Sequence, residues 1–303
     1  FRYHIVSIVA IFLALAVGIV LGSGPLNDDI SGFLEDRTNA LASDKVELQT
    51  AVSRLTSDVE SSQRYAQLVQ PAVLDGLLVT QPVVVVVLPD ASGEAVKEVQ
   101  TAIDQAGGRM TERVDIDKSW TDPDKMASLG AVADALPHAG DSSGDAYEVA
   151  GQVLAGALVT NDISSAGQPD RASTVVLGTY ERAGFIKADQ EEVVRGGSVI
   201  VIGSSDVNEA ASATLVPLIS ALDADGEGTV VSGPLESAEP GGIVGSVRNG
   251  DLDELVSTVD RVDTPEGVSV TVLALVDQRQ GEVGHYGTGS GAQGPAPDPI
   301  PGT

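Results

Sequence analysis

The sequence predicts an α/β protein with an N-terminal transmembrane helix, a coiled-coil stalk and a mostly parallel, Rossmann-like three-layer domain. A long uncharged apolar run opens the chain, leucines seven residues apart follow, and β-branched runs then alternate with helical segments. The predicted parts are a transmembrane anchor over residues 1–25, a stalk over 26–70, an extracytoplasmic domain over 80–286, and a disordered Gly/Pro-rich tail over 287–303.

The predicted anchor is an apolar run over residues 5–21, in which Ser7 is the one polar residue. About 20 apolar residues span a bilayer, whereas the core of a cleaved signal peptide is usually about 7–15 residues long. The length therefore favours an anchor in the cytoplasmic membrane, with a cleaved signal peptide as the alternative. Arg2 before the run and an acidic stalk after it predict an N-terminus inside and the bulk of the chain outside.

Small residues recur every four positions on one face of this helix, at Ala10, Ala14, Gly18 and Gly22. Such spacing lets two membrane helices approach closely. Alanine and glycine are also common in membrane helices. The spacing therefore supports a dimer mainly in combination with the leucine pattern that follows.

The predicted stalk contains no Gly or Pro between residues 33 and 70. Leu34, Leu41, Leu48 and Leu55 fall seven apart, which is typical of position d of a coiled coil. Position a includes Lys45, which favours two strands because its ammonium group reaches solvent in a dimer.

We therefore predict a parallel homodimer, and an amphipathic helix packed on its own domain is the alternative. The predicted interface consists of Ala14, Gly18, Gly22, Leu34, Leu41, Lys45, Leu48, Val52, Leu55 and Val59. Pro71 is expected to end the helix.

The domain opens with the run VVVVVL, which predicts a strand buried on both faces, as in a parallel sheet. Strands are predicted over residues 83–88, 110–114, 174–177, 198–202, 229–231 and 256–259. Helices are predicted over residues 91–106, 145–158, 208–222 and from the Thr264-Pro265 cap to about residue 280.

Composition excludes several classes of function. The net charge is −27, which disfavours nucleic acid and anionic lipid as partners, and simple solubility is its plainest explanation. The absence of cysteine removes thiolate chemistry, and the 3% aromatic content makes a groove of stacked rings hard to build.

No catalytic, cofactor-binding or metal-binding residue is predicted. The loop from Gly203 to Asp206 follows a strand, where doubly wound folds bind ligands, but helix capping also explains it. An enzyme that uses Ser204 is a third, weaker hypothesis. Weak candidates for a hard cation are Asp115, Asp117, Asp122 and Asp124, and the run Asp223, Asp225 and Glu227. The scattered side chains that copper prefers are His4, His138, His285, Met110 and Met126.

Three segments carry a family resemblance: ALAVGIVLGSGPL from Ala14, VDTPEGVSVTVLAL from Val262 and GEVGHYG from Gly281. They resemble the actinobacterial "copper transporter" family, which includes the mycobacterial copper transport protein B and the corynebacterial cell-separation protein SteB. The resemblance implies a cell-envelope protein. It further implies either copper homeostasis through a pore, or partnership with a second, SteA-like membrane protein to regulate a peptidoglycan hydrolase.

Because no copper ligands cluster within the chain, we expect a non-enzymatic, membrane-anchored scaffold. Its expected partners are a second copy, a SteA-like membrane protein and a cell-wall hydrolase. The alternative is a copper transport or homeostasis protein that forms a pore or efflux component in the envelope.

Overall fold

The computed structural model describes residues 2–22, 26–137, 144–189 and 192–298, and the chain divides into two compact units, Phe1–Ser62 and Gln63–Thr303. The first unit contains helix α1 (Arg2–Gly22) and most of helix α2 (Leu26–Leu74). Helix α1 is long and apolar enough to cross a membrane, as the sequence predicts. Its position near the N-terminus also suits a signal sequence.

Helix α2 runs without a break through Pro71, so the prediction that Pro71 ends it is wrong. Proline removes one helical hydrogen bond, and a proline this close to the end of a helix disrupts little else. The carbonyl of Pro71 accepts a hydrogen bond from the Asp75 amide at 3.1 Å. Leu74 and Leu78 are fully buried in the core of the second unit, and this burial fixes the end of the helix beyond the proline.

The second unit contains a sheet whose described strands lie in the order β3-β2-β1-β4-β5-β6-β7. All neighbours are parallel except β3, which pairs antiparallel with β2. The strands are β1 (Pro82–Val87), β2 (Arg109–Ile116), β3 (Ile186–Ala188), β4 (Ser198–Ile202), β5 (Gly228–Gly233), β6 (Ser257–Asp260) and β7 (His285–Gly287).

Helices cover both faces of this sheet. One face is covered by the end of α2, α3 (Gly93–Gln105) and α9 (Pro265–Gln278). The other face is covered by α4 (Met126–Asp134), α5 (Ala146–Leu158), α6 (Arg171–Ala183), α7 (Glu209–Asp225) and α8 (Ile243–Arg248). The predicted α/β class with a mostly parallel sheet is confirmed.

Strand β1 shows why the valine run forms the centre of the sheet. Val83, Val85 and Val87 enter the core on the α3 side, while Val84 and Val86 enter the core on the α5 side. Alternate side chains of a strand point to opposite faces, so only a run that is apolar throughout suits a strand with helices on both sides.

One predicted strand is wrong: residues 174–177 lie inside helix α6. Their β-branched side chains suggest a strand, but Asp170 caps the helix through the Ala172 and Ser173 amides. Gly184 ends it with a left-handed φ of 81°. Burial of Val176, Leu177 and Tyr180 on one face supplies the packing that overrides local propensity.

The tail predicted to be disordered from residue 287 is ordered over its first part. The Gly287 amide donates to the Gly294 carbonyl at 2.8 Å, and the Gln293 amide donates to the His285 carbonyl at 2.7 Å. Glycine-rich composition suggests a linker, but small residues are also what a chain needs to lie closely against a sheet edge. Residues 299–303 lie outside the described residues.

Candidate functional site

The ordered tail rests on a buried ion pair between Arg248 at the end of α8 and Asp260 at the end of β6. Arg248 Nη1 lies 2.7 Å from Asp260 Oδ2, and the two side chains are 1% and 0% exposed. The second carboxylate oxygen of Asp260 accepts hydrogen bonds from the Thr288 and Gly289 amides at 2.8 and 3.0 Å. The pair therefore holds the tail on the carboxyl end of β6.

Each nitrogen of the Arg248 guanidinium group has a hydrogen-bond acceptor. Nε donates to Thr258 Oγ1, Nη1 to the Ser290 carbonyl and Nη2 to the Tyr286 carbonyl, each at 2.8 Å. A buried charge is tolerated only when it is paired and its other hydrogen-bonding groups are satisfied. This network meets both conditions.

His285, the histidine of the GHYG segment, belongs to the same network. It is 3% exposed, with Nδ1 2.9 Å from Thr258 Oγ1 and Nε2 2.8 Å from Asp253 Oδ1. Because the carbonyl and carboxylate oxygens of Asp253 are acceptors, His285 Nε2 donates to them. Both ring nitrogens are engaged within the protein, so His285 has no lone pair directed to a metal.

Close packing explains two glycines in the segments that carry the family resemblance. A side chain at Gly287 would meet the carboxylate of Asp260, and one at Gly267 would meet the Arg261 carbonyl. Thr264 caps α9 through the Gly267 amide at 3.1 Å and donates to the Arg261 carbonyl at 2.9 Å. The segments from Val262 and from Gly281 therefore form the junction of β6, α9 and β7.

The other copper-preferring side chains do not converge. Met110 in β2 packs against the core on the α3 side, whereas Met126 begins α4 on the opposite face. His4 lies in α1, and His138 lies outside the described residues. Among the residues that the structure describes, no three His, Asp or Glu side chains are grouped so that they could hold a metal ion.

Three of the four acidic candidates around the end of β2 have local roles. Asp115 forms two hydrogen bonds with Arg113, at 2.8 and 2.9 Å. Asp117 and Asp122 cap the short 3-10 helices Lys118–Trp120 and Pro123–Lys125. These carboxylates are oriented by the chain's own amide and guanidinium groups.

The acidic side chains of the run from Asp223 to Glu227 also make separate contacts. Glu227 pairs with Arg279 at 3.2 Å. Burial raises the pKa of Asp223 and of Asp225, and the nearby Arg195 opposes that rise at Asp225. The three carboxylates thus have different surroundings.

The loop after β4 adopts the predicted strand-to-helix connection. Ser204 Oγ accepts from the Asp206 amide at 3.2 Å, and Asn208 caps α7 through the Ala211 amide at 3.2 Å. Capping is thus performed by Asn208, while Ser204 stabilises the turn before it.

The seam predicted on α2 is exposed in the single chain. Leu34, Leu41, Leu48 and Leu55 are between 58% and 65% exposed. Val52 and Val59 at position a are likewise exposed. Further along α2, Ala66 and Val69 continue positions a and d of the same heptads. Both are partly buried within the second unit, so the open seam ends before them.

The predicted contacts Ala14, Gly18 and Gly22 lie exposed on α1, and a side chain added at either glycine would meet no other atom. Lys45 is exposed as well. The pairing of two chains at these positions remains a prediction.

Comparison with known proteins connects the whole chain to one family. The profile of the family described as "Copper transport outer membrane protein, MctB" matches residues 1–297. The "Copper transporter MctB" proteins of Mycobacterium tuberculosis and Mycobacterium bovis are 30% identical to this chain over 310 residues, covering 96% of each chain. That of Mycobacterium leprae is 29% identical over 313 residues, again covering 96% of each chain. The chain therefore belongs to the MctB family of membrane or envelope proteins.

Proposed function

We propose that this chain is a non-enzymatic copper transport or homeostasis protein of the cell envelope that acts as a parallel homodimer joined along α2. In this proposal α1 anchors the chain with its N-terminus inside and the α/β domain outside the cytoplasm. The family description and the relatives' names concern copper. They give no support to cell separation or hydrolase regulation, so copper is the favoured function.

The exposed seam of α2 is the observation that supports the dimer in this proposal. Leucine at four successive d positions, each more than half exposed, leaves an apolar stripe in water unless a partner covers it. The described residues contain one helix suited to crossing a membrane, and a single helix cannot surround a channel. A copper pathway through the membrane would therefore require several copies or another membrane protein.

The arrangement of potential copper ligands supports the same view. His285 uses both ring nitrogens inside the domain, and Met110 and Met126 lie on opposite faces of the sheet. A copper site formed between copies, or together with a partner protein, is thus favoured over a site within one domain.

Cells that lack this chain provide the test. We expect the intact gene to restore growth in copper and to lower cell-associated copper, measured by mass spectrometry. A variant with Leu41→Glu and Leu48→Glu should fail to do either, because the seam cannot close over four carboxylates. Val46→Glu is the matched control, since Val46 is also exposed on α2 but lies off the seam.

Copper content that is the same with and without the chain would contradict the proposal. Unseparated, chained cells with normal copper content would instead favour the hydrolase-regulating role. Western blots of the membrane fraction establish that each variant is present at the level of the unaltered chain.

A further inference from the structure

A crevice lies outside the carboxyl ends of β1 and β4, where the order of strands in the sheet reverses. Doubly wound sheets bind ligands at this position. The crevice has a volume of about 220 Å³, below the roughly 300–1,000 Å³ typical of sites for drug-sized molecules. It suits a small organic molecule and is too small for a nucleotide.

The lining of the crevice combines charged and apolar side chains. Asp90 follows β1 and Lys118 follows β2, while Asp206 follows β4 on the other side of the reversal. Leu215 and Ile243 contribute to the apolar lining. The crevice thus combines two carboxylates with a surface suited to a hydrocarbon chain.

Lys118 already places an ammonium group in this crevice. Its Nζ lies 2.8 Å from Asp90 Oδ1, in an ion pair whose side chains are 71% and 50% exposed. The hydrogen bond and charge of Asp90 raise the pKa of Lys118, and the more distant charges of Asp206 and Asp117 act in the same direction. A pair this exposed gains little from its attraction and opens easily to a competing cation.

We propose that the crevice binds a small primary alkylammonium compound, whose ammonium group takes the place of Lys118 Nζ beside Asp90, with Asp206 adding a second negative charge to the lining. The hydrocarbon stem of the ligand lies on Leu215 and Ile243. Lys118 is then a tethered competitor that occupies the site when the ligand is absent. This inference is independent of the copper proposal.

The test uses the whole chain in detergent micelles and 1,5-diaminopentane as the probe, titrated by calorimetry. We expect saturable binding to one site per chain. The neutral compound 1,5-pentanediol, which has the same carbon chain without charge, should show no binding. Absence of saturable diamine binding would overturn the proposal.

Three substitutions separate a defined site from diffuse attraction by the acidic surface. Asp90→Asn and Asp206→Asn should each weaken diamine binding about two- to fivefold, the effect of losing one exposed ion pair. Asp134→Asn removes the same charge from an exposed position on α4 and should leave binding unchanged. Equal weakening by Asp134→Asn would show that only the overall charge matters.

Lys118→Met gives the sharpest prediction because it removes the tethered competitor. Diamine binding should become several-fold tighter, since the site no longer has to release its own ammonium group first. Unchanged or weaker binding in this variant would overturn the proposal, because Lys118 would then not be the group that the ligand displaces. Fluorescence melting of each variant, with Trp120 as the probe, confirms that the domain is folded.

Discussion

Replacing Arg248 with methionine is expected to lower the free energy of unfolding by about 3–5 kcal/mol, the range for removing one partner of a buried ion pair. Asp260 would remain fully buried with its charge uncompensated, and the tail would lose its bonds to the guanidinium group at Tyr286 and Ser290. Urea unfolding of the whole chain in detergent, followed by the fluorescence of the buried Trp120, measures the change.

Arg182→Met is the matched control, because it removes an exposed guanidinium group from α6. Its effect should be within about 0.5 kcal/mol, as for most surface substitutions. Adding Asp260→Asn to Arg248→Met should recover part of the lost stability, since it removes the unpaired charge. A loss below about 1 kcal/mol in the single variant would mean that the ion pair does not hold the tail on the sheet.

The variant with Leu41→Glu and Leu48→Glu is expected to be monomeric at micromolar concentration. A fully buried leucine contributes about 1.5–3 kcal/mol, and this change removes four leucines from each pair of chains while placing four carboxylates together. Sedimentation velocity of the whole chain in detergent should show a dimer for the unaltered chain and for Val46→Glu. A dimer that persists in the leucine variant would refute the seam.

The central strands could be predicted from sequence because burial on both faces leaves a local mark. The valine run of β1 and residues Val199–Ile202 of β4 are apolar throughout. Helix α9 was equally clear, since Thr264 and Pro265 give a cap followed by proline at the first position. Such signals need no knowledge of distant residues.

The wrong predictions concern elements whose structure depends on contacts outside the local run of residues. Helix α6 carries a β-branched run, and only its cap at Asp170 and its packing through Tyr180 decide for a helix. The tail is ordered by Arg248, which lies 42 residues from Ser290 in sequence, so composition alone could not reveal the contact. Pro71 sits near a helix end that is fixed by the burial of Leu74.

The candidate sites likewise have parts that could be predicted from sequence and parts that could not. The loop after β4 could be placed at a ligand-binding edge because it follows a predicted buried strand and leads into a predicted helix. Its opposing wall could not, because the pairing of Asp90 with Lys118 depends on β2 lying beside β1. Likewise, the satisfied nitrogens of His285 follow from Asp253 and Thr258, neither of which adjoins it in sequence.

Pairing along α2 is tested most directly by single cysteines, because the natural chain contains none. Membranes carrying the whole chain with Leu41→Cys, Leu48→Cys or Val46→Cys are treated with a short thiol-specific crosslinker and separated on denaturing gels. We predict crosslinked dimers from Leu41→Cys and Leu48→Cys and few from Val46→Cys. Crosslinking that is equal at all three positions, or absent from the two leucine positions, would contradict a dimer closed along this seam.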